Sequence, residues 1–131
     1  MQMISAESMA QMAADKRAAC EVPDVMRTVR ERGDPLARRL DNTVLEREVR
    51  ETLAACDRLG LTSDADRLTL CLLDITSFAG MRDLPKLKGL LDYAGGPPDW
   101  RMQSLFVAMP PTLWKQLSDD AVDVRRSRGL E

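Results

Sequence analysis

Asp74 stands among Leu70, Cys71, Leu72, Leu73 and Ile75, where an ionised group is costly if it is dry and unpaired. Two readings follow from that placement. In one, Asp74 is a catalytic acid with a raised pKa. In the other it is a rim residue or the partner of an arginine, and Arg67, seven residues earlier and so on the same helical face, can share a solvated strip with it. No second catalytic group is identifiable nearby, which favours the paired carboxylate. Histidine is absent from the 131 residues, removing the side chain most used for acid–base work near neutral pH and the commonest nitrogen ligand for zinc, copper or iron. Cys20, Cys56 and Cys71 contain no Cys-x-x-Cys pair, so neither a metal nor a cofactor is expected. Their odd number suits reduced thiols in a cytoplasm, and their places in apolar stripes read as small buried residues. Cys56 and Cys71 could approach each other if their helices are neighbours. The expectation is a protein without catalytic residues.

Three further groups of side chains suit binding better than catalysis. Arg27, Arg30, Arg32, Arg38 and Arg39 form a basic run interrupted by Glu31 and Asp34, which reads either as a solvated face or as a patch for an acidic partner surface. Met1, Met3, Met9 and Met12 are half of the eight methionines, and methionine adapts to irregular apolar surfaces as readily as it fills a core. Trp100 and Trp114 fall in the proline-punctuated C-terminal third, where tryptophan serves as a core residue or as an interface anchor. Combined, these predict an apolar protein-binding patch with Met9, Met12, Trp100 and Trp114 as anchors and Arg38 and Arg39 at its rim.

The elements that must position these groups are helical. Apolar residues are 44% of the chain, aromatics only 4%, and Leu, Ala, Arg, Met and Glu dominate, which suits one all-α domain spanning 1–131. Lys and Arg number 19 against 21 Asp and Glu, so no long-range field favours a polyanion. No apolar run approaches the roughly 20 residues of a membrane span, and none at the N-terminus has signal-peptide length, so a soluble, unprocessed protein is expected.

Spacing predicts a first helix over about 5–21 capped by Ser5, and a second opened by Pro23 with Val22, Val25, Met26 and Val29 inward. Leu36 and Leu40 suggest a helical turn. Thr43 and Glu46 suggest a capping box for a helix with Leu45, Val49, Leu53 and Cys56 in its stripe and Gly60 at its end. Ser63 then opens the helix expected to be central, about 63–79, apolar on most sides. Three shorter helices follow, opened by Pro85, capped by Asp99, and set after Pro110-Pro111; residues 125–131 are expected to fray. The whole predicts a compact bundle of five to seven helices made of hairpins around 63–79. Residues 45–79 also have the outline of a DNA-binding helix-turn-helix, but the second helix would present Asp64, Asp66, Arg67 and Asp74, which repel phosphates and leave few donors for base edges.

Ile4-Ser5-Ala6-Glu7 with Lys16-Arg17, Val29-Arg30-Glu31-Arg32, Val44 to Arg50, and above all Cys56-Asp57-Arg58-Leu59-Gly60-Leu61-Thr62-Ser63-Asp64-Ala65-Asp66 resemble a family of small all-helical accessory proteins. That family is encoded beside type VI secretion effectors and their adaptor-chaperones, and the resemblance covers roughly residues 4–91. It implies a cytoplasmic, non-enzymatic co-chaperone that binds an adaptor-chaperone or its effector and assists loading. The alternatives are an immunity protein that blocks a toxic effector, and a helix-turn-helix regulator. The isolated protein is expected to bind neither metal nor duplex DNA specifically. Stoichiometric zinc in protein purified without a His-tag, or a sequence-specific gel shift at physiological salt, would contradict this.

Overall fold

The computed structural model describes residues 6–130. Among these it is all-α, with seven α-helices, one short 3₁₀ turn and no strands. Ser5, Met1 and Met3 lie outside the described residues.

The two helices expected before Gly33 are one, α1 (Ala6–Arg32). Pro23 lies inside it and removes a donor, but its ring faces solvent, where water can satisfy the carbonyl left without a partner. Meanwhile Val22, Val25 and Val29 keep one buried stripe running past it. Asp34 caps the single turn α2 (Pro35–Arg38) by accepting from the Leu36 N–H at 2.9 Å. In α3 (Asn42–Leu59) the stripe of Leu45, Val49, Leu53 and Cys56 is buried as its spacing predicts, and Gly60 takes the left-handed position at φ 74°. The start of α3 differs from expectation: Asp41, rather than Thr43, caps it.

Ser63 caps α4 (Asp64–Ile75), accepting from the Asp66 N–H at 3.1 Å. The helix stops at Ile75 instead of Ala79. It divides the interior in two. Leu70 points into a core shared with Leu87, Leu91, Met102 and Leu105, whereas Cys71 and Ile75 point into a second core with Val29, Leu45 and Val49. Between these faces lie Asp66, Arg67 and Asp74, all buried, while Leu68, Leu72 and Leu73 are only half-buried. The central helix thus carries a buried polar face that its apolar composition concealed.

Gly80, at φ 101°, turns the chain into the 3₁₀ segment Met81–Asp83, where a side chain would also press on Val124. Then come α5 (Leu87–Ala94), α6 (Arg101–Ala108) and α7 (Pro111–Ser127). The fraying expected over 125–131 is not seen in its described part. Arg125 donates to the Thr76 carbonyl at 2.6 Å, Arg128 reaches Asp74, and Leu130 is buried. Because Leu70 is enclosed and Leu72 only half-buried, Leu70→Ala should destabilise by about 2–5 kcal/mol in denaturant unfolding, and Leu72→Ala by clearly less.

Candidate functional site

The buried polar face of α4 is a chain of ion pairs. Asp74 accepts at Oδ1 from the backbone N–H groups of Gly80 (3.2 Å) and Arg82 (2.9 Å), and its Oδ2 accepts from Arg128 Nη1 at 2.8 Å and lies 3.3 Å from Arg82 Nη1. Arg82 Nη1 also donates to Glu48 Oε2 at 2.8 Å and to Thr52 Oγ1 at 3.0 Å, and its Nη2 to Glu51 Oε2 at 2.7 Å. Burial pushes the Asp74 carboxyl above the usual carboxylate range, with Arg128 and Arg82 pulling it back. The arginine partner expected for Asp74 is therefore present, but it is not Arg67. Arg67 grips Glu21 with two donors, at 2.6 and 2.9 Å, and Asp57 with a third at 2.6 Å. Sequence spacing missed Arg82 and Arg128 because they arrive from the 3₁₀ segment and from the C-cap position after α7, outside any helical period of α4.

Asp66 has another task. Its carboxylate accepts from the backbone N–H groups of Arg101 (3.1 Å) and Met102 (2.9 Å), so α6 is capped from α4 and not by Asp99. Of the four charged residues expected on the outside of this helix, only Asp64 is exposed. The partly exposed face of α4 offers Asp64, Ala65, Leu68, Thr69 and Leu72, with no cation among them. Among the described residues, no buried side-chain nitrogen or oxygen lacks a partner, and no cluster of acids and cysteines has the makings of a metal site.

The thiols divide. Cys56 and Cys71 are buried, and burial pushes Cys56 up to about 12 and Cys71 further in the same direction. Cys20 departs from the buried placement expected of it: it is exposed, beside a groove of about 310 Å³ between α1 and α4 that Arg17, Glu21, Val25 and Leu68 also line.

The predicted anchors and rim do not form one patch. Met9 and Met12 are 61% and 60% exposed, and Val22 is the first buried residue among those of α1 whose side chains are described. Arg17 Nη2 donates to the Thr62 carbonyl at 3.2 Å, and Ser63 Oγ donates to the Asp99 carbonyl at 3.4 Å. These bonds bring the mid-part of α1, the α3–α4 turn and Trp100 to the same end of the molecule, where Trp100 is 53% exposed. Arg38 and Arg39 are exposed next to the other end of α1. At ~1.5 Å per residue, Arg32 is already roughly 30 Å from Met12. They cannot rim the same surface. Trp114 is half-buried, its ring 4.9 Å from Phe78 and 5.3 Å from Phe106, which makes it a core-edge residue.

The sequence reading also missed Tyr93 and Val107, 84% and 90% exposed. The signal was available, since each lies well away from its helix's inward residues, Leu87 and Leu91 for Tyr93, and Met102 and Leu105 for Val107.

Comparison with protein-family models, curated proteins and solved structures finds no match. Among the described residues no helix is long and apolar enough to cross a membrane. A thiol reagent such as Ellman's should label Cys20 rapidly in the folded protein and Cys56 and Cys71 only upon unfolding. Rapid labelling of all three thiols without denaturant would contradict the burial described.

Proposed function

We propose that this chain is a non-enzymatic accessory factor that binds another protein. Its sharpest form is a cytoplasmic co-chaperone that assists an adaptor-chaperone in loading a type VI secretion effector. The observation that carries the binding role is that three large apolar side chains, Met9, Met12 and Trp100, stand more than half in solvent. Exposed, adaptable thioethers and an exposed indole suit a client that must later be released. A second feature points the same way: the buried carboxylates and arginines are taken up by one another, as in a scaffold. The secretion role rests on the sequence resemblance over residues 4–91. Relative to the surface read from sequence, Trp114 belongs to the core edge, and Arg38 and Arg39 to a separate face.

The test is the triple substitution Met9→Ala, Met12→Ala, Trp100→Ala. With an unchanged melting temperature, capture of the adaptor-chaperone and secretion of its effector should fall by about tenfold or more, the effect of losing roughly 1.4 kcal/mol of binding. Full capture and secretion by the folded triple mutant would refute this surface. Protection against the toxin without any effect on loading would replace the co-chaperone role by the immunity role.

A further inference from the structure

α6 is apolar on both of its long sides. Met102 and Leu105 are buried in the first core, with Met109 just beyond them. On the opposite side Val107 stands in solvent, and Trp100, seven residues earlier and so on the same face, is exposed with it, as are Gln103 between them and Phe106 at the edge. The Phe106 ring lies 5.3 Å from that of Trp114, which carries the apolar ground on to the start of α7. The one charged residue of the helix, Arg101, is engaged elsewhere: it donates to Asp92 at 3.0 Å and to the Gly60 carbonyl at 3.3 Å.

The outer faces of the longer helices differ. α3 presents Glu46, Arg50, Glu51 and Arg58 to water, and α7 presents Lys115, Asp119, Asp120 and Asp123. A helix that packs on one side carries polar and charged residues on the other, whereas one that is apolar on both sides is normally covered on both. The body covers only one side of α6. In a two-fold contact each residue meets members of its own set, so a patch charged with one sign repels its copy, and an uncharged stripe of Trp100, Gln103, Phe106 and Val107 does not. A strongly charged partner would instead leave its ions unpaired against this stripe. The eight residues of α6 run only ~12 Å, short of the ~800 Å² that each side of a standard interface buries, so pairing through this face is weak and reversible.

We propose that the outer face of α6 is a self-association surface on which two copies of this chain pair α6 against α6, antiparallel about a two-fold axis. In that pairing Trp100 of one copy lies over Val107 of the other. The two Gln103 side chains meet near the axis, where each amide both donates and accepts. The inference does not rest on the client-binding reading; Trp100 is common to the two, so every variant in the test keeps it.

The test is sedimentation equilibrium of the full chain from about 10 µM to about 1 mM, with a melting curve for each variant. The average mass should climb from one chain toward two over that range and stop there. Val107→Asp alters a side chain that is 90% exposed, so the melting temperature should hold, while association weakens by about tenfold or more because a carboxylate is pressed against Trp100. Gln103→Glu and Gln103→Lys should each weaken association when alone, through like charges at the axis, and an equimolar mixture of the two should associate more tightly than either. A wild-type chain that remains single at about 1 mM, or that grows past two copies, would overturn the proposal. So would a folded Val107→Asp variant that associates like the wild type, or a mixture of the Gln103 variants no tighter than its components. A single-chain wild type whose capture of the adaptor-chaperone is lost in Val107→Asp would assign this face to that partner instead.

Discussion

Asp74 is fully enclosed, and an ionised carboxylate in that position has to be met by cations and N–H groups or it drives the fold apart. Meeting it fixes the positions of four pieces of chain. The 3₁₀ segment must bring Arg82 to it, Gly80 must turn at positive φ so that two backbone N–H groups aim at Oδ1, α3 must place Glu48 and Thr52 alongside, and α7 must end with Arg128 in reach. Each requirement is directional, whereas the apolar cores on either side of α4 are not. The cores supply most of the driving force for collapse, and the charge cluster selects one arrangement of the helices within it.

The same constraint shapes the functional reading. α4 commits Asp66, Arg67 and Asp74 to the interior and leaves only Asp64 exposed, which directs attention to the rest of the surface. There Met9 and Met12 stand exposed on the first half of α1, Trp100 just before α6, Tyr93 and Val107 on α5 and α6, and the arginines Arg38 and Arg39 next to the far end of α1. A partner that engages the methionine end would use shape and apolar contact, with electrostatics contributing little, in keeping with the near-neutral composition.

Much of the fold was legible in the sequence because periodicity reports which face of a helix is buried. The stripe of α3, the Ser63 cap and the Gly60 stop all follow from local rules that the structure obeys. What periodicity does not report is the identity of the opposite wall. Asp66 caps a helix that begins 35 residues later, and Arg128 meets Asp74 across 54 residues, so neither contact leaves a local trace. Pro23 misled for the opposite reason. The local rule against proline inside a helix was outweighed by a buried valine stripe continuing on the other face. As for the binding surface, residue type alone gave Trp100 and Trp114 equal standing, and only the neighbouring Phe78 and Phe106 separate them.

The most direct test of the claim that the Asp74 cluster sets the arrangement of helices is a double-mutant cycle on Asp74→Asn and Arg82→Met, read by denaturant unfolding. Direct coupling in a buried pair predicts an interaction energy of roughly 2 kcal/mol or more, the double mutant being much less damaged than the sum of the single changes. Additivity within about 0.5 kcal/mol would contradict it, because the two charges would then be acting independently and the fold would rest on its apolar cores alone.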